Sequence, residues 1–341
     1  MRVFNVMLSR DLGGIQQSYV DYNDALVSNS KHDVINIVSC RAEINNALTP
    51  NHRILNLGSW CFISKLYFLI LFLYYRPKVV ICHGNRAIQL CIFAKLLGIK
   101  RVGVSHNYNY KSLLKCDYII TLTEDLRKHL SNKGYSLDKT FPYSNIIRIQ
   151  KDYCVPNYAN KNIITIGAFG RLIKGKGFHD LIAAIYLLKK QEAPIKLIIG
   201  GDGKEMENLK DQITELGLQE DVILVGWVDD KELFFQKIDI FCLPSHSEAF
   251  GIVLLEAMHH SKPIIATKID GPQEIITDKH NGLLAESKNP NDLAEKILYL
   301  IKNPLEAQNI SKIAYKDVKN KYSLETASER LSNIMRKINE L

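Results

Sequence analysis

The chain has 341 residues, 46% of them hydrophobic and 23% charged, with a formal net charge of +8. That length suits one large domain or, more naturally, two of ordinary size, and the composition excludes disordered, collagen-like and coiled-coil chains. The charge is uneven: residues 1–155 hold 20 Lys/Arg against 10 Asp/Glu, a balance of +10, while residues 156–341 hold 24 against 26, a balance of −2. An anionic partner for the first half fits that asymmetry, and so does a merely solubilising surface. The seven cysteines (40, 61, 82, 91, 116, 154 and 242) form no Cys-x-x-Cys pair, so neither a zinc ribbon nor a redox motif is indicated. Several sit in apolar runs as small hydrophobes, which fits a reducing, cytoplasmic location.

In chain order, "MRVFNVMLSRDLGG" has too short an apolar run for a signal peptide and opens as a strand. "VFNVML" (3–8), "DVINIV" (33–38), "KVVICH" (78–83), "RVGVS" (101–105) and "DYIITL" (117–122) read as strands. Their apolar runs are continuous, as parallel strands covered on both faces require. Helical patterns lie between them at 14–27, 60–75, 86–97 and 124–132. A loose stretch, 141–161, predicts a linker, and the pattern then restarts. Strands are predicted at 162–170, 195–201, 221–227, 238–245 and 262–268, and helices at 177–191, 204–216, 230–236, 251–260 and 290–302. After Pro304 the sequence is helical to its end. Two doubly wound α/β domains follow, 1–150 and 151–321, with a last helix over 322–341.

The segment from Trp60 to Tyr75 is apolar almost all round. A membrane span needs about 20 apolar residues, so this one is too short to cross. Two readings stay open. The helix is buried on the sheet, or its outer face rests on lipid with Lys65, Arg76 and Lys78 at the headgroups.

Four motifs could carry chemistry. "GRLIKGKG" (170–177) follows a strand and opens a helix. Backbone amides at such a turn, the positive end of the helix dipole, and the cations Arg171 and Lys176 together suit a diphosphate. "DLGGIQQ" (11–17) follows the first strand, where Gly13 and Gly14 let backbone approach a ligand closely. "GGDG" (200–203) lacks the full dinucleotide fingerprint and reads as a tight turn. The fourth motif is "PSHSEAFGIVLLEA" (244–257), a loop that runs into a helix starting near Phe250 to Ile252. Glu248 falls before the helix start and Glu256 about one turn inside it. The amides of Phe250, Gly251 and Ile252 lie between them. Two carboxylates flanking an anion-binding helix end suit a ligand with hydroxyls on both sides of its phosphates. A carboxylate among Leu254, Leu255, Ala257 and Met258 is costly to bury without a partner.

Taken together, Gly-Arg-Leu-x-x-x-Lys-Gly (170–177), Glu-x7-Glu (248–256), the "LPS" before it, and "KPIIATKIDGPQEII" and "NGLL" after it resemble a family 4 retaining glycosyltransferase of the GT-B fold. The likeness extends more loosely to the first half through "GGIQQ", "VVICHG" and "VSHN". It implies two Rossmann-like domains facing each other across a cleft, with the last helix returning to the first domain. It also implies that Arg171 and Lys176 bind a donor diphosphate, that Glu256 binds ribose hydroxyls and that Glu248 lies near the hydroxyls of the donor sugar. By the same resemblance Gly14 matches a first-domain loop near the phosphates, and His106 matches a first-domain histidine that contacts the donor sugar beside the reacting carbon. His83, also at a strand end, is a weaker candidate. Ser261 and Asp270 stand where the family often has glycine.

The expectation is a hexosyl-type transferase that moves a sugar from a UDP- or GDP-linked donor to a saccharide acceptor. A lipid-linked acceptor at the inner membrane face fits the basic first half. No Asp-x-Asp occurs, so neither a metal nor any further cofactor is expected. Interleaved aromatic and basic motifs for nucleic acid are not evident. A sugar-nucleotide epimerase of the same fold and a non-catalytic basic membrane-surface protein are the alternatives.

Overall fold

The structure is a computed structural model and describes residues 1–8, 14–28, 32–39, 51–54, 62–150, 152–156 and 161–340. Gly13, Cys40, Trp60 and Cys61 lie outside the described residues, as do Lys151 and residues 157–160 of the expected linker. The chain divides into two units, Met1–Arg148 with Tyr322–Leu341, and Ile149–Lys321. Residues 141–148, expected in the linker, belong to the first unit.

That unit builds a parallel sheet from β1 (Arg2–Met7), β2 (Asp33–Ser39), β3 (Asn51–Ile54), β4 (Val79–His83), β5 (Lys100–Ser105), β6 (Tyr118–Thr121) and β7 (Thr140–Pro142). The strand order is β3-β2-β1-β4-β5-β6-β7. Its helices are α1 (Gly14–Ser28), α2 (Phe62–Tyr75), α3 (Asn85–Leu90), followed by a 3-10 turn over Cys91–Leu97, and α4 (Glu124–Asn132). Alternate strand residues feed two cores, which is why the strands read as unbroken apolar runs. Phe4, Val6, Ile35, Val80 and Cys82 pack with Phe68, Leu71 and Phe72 of α2. Val3, Val34, Val79, Ile81 and Val104 pack on the other face with Tyr22, Ala25 and Leu26 of α1. Thr123 caps α4, its hydroxyl accepting from the Leu126 amide at 3.2 Å.

The second unit builds a parallel sheet from β8 (Ile164–Phe169), β9 (Ile195–Gly200), β10 (Val222–Leu224), β11 (Ile240–Leu243), β12 (Ile264–Thr267) and β13 (Leu283–Ala285), in the order β10-β9-β8-β11-β12-β13. Its helices are α5 (Phe178–Lys189), α6 (Met206–Glu215), α7 (Lys231–Lys237), α8 (Ile252–His259), α9 (Asp270–Gln273), α10 (Pro290–Lys302) and α11 (Pro304–Tyr322). The stripe Phe178, Leu181, Ile182, Ile185 and Leu188 of α5 is fully engaged with Ile166, Leu197, Ile199 and Leu293 in one core. Asn289 caps α10 ahead of a proline at its first turn, accepting from the Asp292 amide at 3.2 Å.

The last helix, α12 (Leu324–Glu340), packs on α1 in the first unit through Ala327, Leu331, Ile334, Met335 and Ile338. Three strands absent from the sequence reading, β3, β7 and β13, occupy sheet edges, where short, polar or proline-containing segments are tolerated.

The α2 helix is buried on one face only. Ser64, Phe68, Leu71 and Phe72 turn inward. Phe62, Ile63, Leu66, Tyr67, Ile70, Leu73 and Tyr74 are exposed, and Ile92, Leu96 and Leu97 of the 3-10 turn are exposed as well. Among the described residues, no helix is long and apolar enough to cross a membrane.

Candidate functional site

In the second unit, strand order reverses between β8 and β11: β9 and β10 lie on one side, β12 and β13 on the other. The crevice at the carboxyl ends of strands flanking such a reversal is where open parallel sheets bind ligands. The Arg171–Gly177 turn follows β8 and the Glu248 loop follows β11, so the sheet brings the two main motifs to one place.

Close backbone packing locks these segments together. Gly177 has φ +67°, and a Cβ there would overlap the Pro244 carbonyl oxygen. The His246 amide donates to the Gly175 carbonyl at 2.8 Å, and His246 Nε2 lies 2.6 Å from Asp180 Oδ2. On the far side the Thr267 hydroxyl donates to the Ser245 carbonyl at 2.5 Å. A Cβ on Gly271 would overlap the Glu248 carbonyl oxygen and lie 2.7 Å from the Phe250 amide nitrogen. The glycine at 271 is therefore fixed by the fold of the Glu248 loop. Its neighbour Asp270 is exposed and opens α9, where a negative charge complements the helix dipole.

Gly251 caps α8 at φ +94°, no side chain caps the helix, and Ile252 is its first residue. Helix geometry leaves the opening amides without intrahelical partners. Phe250 is buried beneath them. Lys176 and Glu248 form an ion pair, with side chains 18% and 17% exposed. Lys176 is thus shared with a carboxylate and not a free cation. Arg171 is exposed, and no side-chain partner accompanies it among the described residues.

Glu256 is largely buried on α8. One oxygen, Oε1, accepts from Lys231 Nζ at 2.5 Å. The other, Oε2, is buried with no hydrogen-bond partner among the described residues. Burial pushes the carboxyl pKa up, and the Lys231 ammonium pulls it part of the way back. A carboxylate this short of donors suits a ligand hydroxyl as an added partner. Lys231 was missed in sequence reasoning: it is the first residue of α7, 25 positions away, and no motif marks it.

In the first unit the order reverses between β1 and β4. Gly14 opens α1 just after β1, His83 ends β4, and His106 follows β5. His106 and Ile15 help line a cavity of about 170 Å³ with Gly84, Asn85 and Asn107. Burial lowers the His106 pKa to about 4. Burial, and then the neighbouring His106, hold His83 well below the usual imidazole range.

Ser261, where the resembled family often has glycine, has φ +56°. A serine there adopts a conformation that glycine adopts freely. Its hydroxyl accepts from the Cys154 amide at 3.0 Å.

Two doubly wound parallel units with these motifs at a strand-order reversal define the GT-B class of fold. Solved structures agree: Anabaena Alr3699/HepE in complex with UDP superposes with a TM-score of 0.85 at 19% identity, covering 98% of this chain and 100% of that one. Residues 156–317 match the family described as glycosyl transferases group 1. Among the relatives, a poly(ribitol-phosphate) alpha-N-acetylglucosaminyltransferase of Staphylococcus aureus (strain COL) is 28% identical over 231 residues, 67% of this chain and 46% of that protein. The lipopolysaccharide core biosynthesis glycosyltransferase LpsE of Rhizobium meliloti (strain 1021) is 34% identical over 134 residues, 39% of this chain and 38% of that protein. The matched stretches thus span about half or less of the length of these curated relatives.

Proposed function

We propose that the chain is a retaining hexosyl-type glycosyltransferase that uses a nucleoside-diphosphate sugar and a saccharide acceptor. The observation that carries this reading is the meeting, at one strand-order reversal, of the Arg171–Lys176 turn with the start of α8, which no side chain among the described residues caps, and its carboxylate, Glu256. Glu256 accepts from a ribose hydroxyl. The α8 amides, Arg171 and Lys176 bind the diphosphate. Glu248 orients the donor sugar and holds Lys176 in place meanwhile.

During transfer the bond between the anomeric carbon and the diphosphate oxygen breaks, and the acceptor oxygen attacks the same face. The acceptor proton passes to the departing phosphate oxygen. Negative charge grows on the diphosphate, where fixed cations and amides stabilise it without a metal ion. His106 contacts a sugar hydroxyl. The HepE complexes with UDP and UDP-glucose favour a uridine donor over a guanosine one.

The acceptor is a lipid-linked saccharide, of the kind that lipopolysaccharide core or surface polysaccharide synthesis uses, at the cytoplasmic face of a membrane. Supporting this are the exposed apolar face of α2 and the exposed cations Arg76, Lys78 and Lys95 beside it.

The test is a thermal-shift panel of UDP-, GDP-, ADP- and CMP-sugars on the wild type and on Glu256→Ala. Stabilisation by one nucleotide class, lost in the variant, is expected. No stabilisation by any of them at millimolar concentration overturns the donor site.

A further inference from the structure

A directed chain of hydrogen bonds runs through the first unit to His106. It starts at Asp24 on α1, which is ion-paired with Arg148. A carboxylate only accepts, so Asn23 Nδ2, 3.0 Å away, donates to it. The Asn23 oxygen then accepts from Asn36 Nδ2 at 2.8 Å. The Asn36 oxygen accepts from Asn5 Nδ2 at 3.1 Å. Asn5 Nδ2 also donates to the Tyr19 carbonyl at 3.3 Å, a second acceptor-only group that fixes the same orientation. Amide orientation and histidine tautomer are ordinarily ambiguous, and here two acceptor-only anchors settle them.

The rest follows by elimination. Asn5 Oδ1 faces His83 Nε2 at 3.0 Å, so His83 carries its proton on Nε2. Its Nδ1 is then a lone pair and accepts from His106 Nε2–H at 3.2 Å. The rings of Tyr19 and Tyr22 meet His83 edge-on, at 89° and 88°, and fix its plane. His106 is left with a lone pair on Nδ1, and its ring borders the 170 Å³ cavity.

We propose that His83 is a positioning residue: it fixes the proton of His106 on Nε2, so that Nδ1 accepts a hydrogen bond from a carbohydrate hydroxyl. This rests on the reading that the chain binds and transfers a sugar. The lowered imidazole basicities agree with it, since a charged ring would have no lone pair to offer. His106 makes the contact; His83 acts through it.

The test has two arms. Long-range nitrogen–proton correlation spectra of the imidazoles at neutral pH, assigned with His106→Asn, read the tautomer without any substrate. The expected wild-type result is His106 protonated on Nε2. His83→Gln keeps that state, because its amide can donate to Asn5 and accept from His106, whereas His83→Leu yields a mixture of both tautomers. In the second arm kcat for sugar transfer falls at least about tenfold in His83→Leu, the equivalent of one lost hydrogen bond. It is largely restored in His83→Gln, with the donor KM little changed in either.

A wild-type His106 protonated on Nδ1 overturns the proposal. So do Leu and Gln variants with the same tautomer and the same rate. If His83→Leu does not fold, the wild-type spectrum and His83→Gln decide. A chain with the expected tautomer that transfers no sugar refutes the transferase reading, and leaves the role of His83 in placing the proton standing.

Discussion

At the scale of single residues, Glu256 decides how the proposed donor site responds to pH. Its carboxyl pKa is raised by burial. A ribose hydroxyl donates more strongly to the ionised form than to the protonated one. Nucleotide affinity is therefore full above the raised pKa and falls as pH drops through it, at a pH higher than an ordinary carboxylate would set. Titration calorimetry across acidic pH should show this loss, and Glu256→Gln should flatten it. Lys231→Ala removes the only partner of Oε1 among the described residues, and moves the loss to still higher pH. A pH profile that Lys231→Ala leaves unmoved would contradict this assignment. Gly177 tests the framework beneath. Gly177→Ala puts a Cβ into the Pro244 carbonyl from a left-handed backbone, which should destabilise by at least about 2 kcal/mol and weaken nucleotide binding. Paired denaturant melts check the first part and calorimetry the second.

At the scale of elements, α2 carries the sharpest prediction. A soluble face rarely exposes seven large apolar side chains on one helix. Its setting beside Arg76 and Lys78 suits an anionic lipid surface, where each cation adds about 1 kcal/mol at low salt. Sedimentation with vesicles of anionic lipid should capture the wild type and release it as salt rises. Ile70→Glu with Leu73→Glu should abolish capture, while both side chains are exposed and the fold persists. Retained binding in that variant would place the contact elsewhere.

Much of this element scale was legible in the sequence. The continuous apolar runs of β1, β4, β8 and β9 and the periodic stripe of α5 report burial directly, because strand and helix periods differ. The Arg171 turn and the Glu248–Glu256 loop were legible because glycine and charge cluster there without an apolar reason. What stayed hidden depends on distant pairing. Lys231 meets Glu256 only through the packing of α7 against α8, and the Asn5–His83–His106 chain exists only once β1, β4 and β5 are neighbours. The sequence of α2, apolar all round, left open whether its outer face is covered.

At the scale of the whole molecule, the first unit is discontinuous in sequence: residues 1–148 and 322–341 share one core, while residues 149–321 form the other. The last helix, α12, therefore stabilises the unit farthest from it along the chain. Leu331, Met335 and Ile338 are fully or almost fully buried there, and Lys100 Nζ donates to the Ile338 carbonyl at 2.7 Å. Each such side chain contributes about 1.5–3 kcal/mol by burial, so the helix as a whole contributes an amount comparable to the 5–15 kcal/mol that ordinarily holds a domain together. A chain ending at Lys321 should lose the cooperative unfolding transition of the first unit in calorimetry. The second unit keeps its own core and the donor contacts proposed for Arg171, Lys176, Glu248 and Glu256. It should still melt cooperatively and still be shifted upward by the nucleotide, because a ligand that binds only the folded form stabilises it as the logarithm of one plus the ratio of ligand concentration to Kd. Loss of nucleotide stabilisation along with α12 would mean that the donor affinity resides in the first unit, and the roles assigned to Arg171, Lys176 and Glu256 would have to be withdrawn.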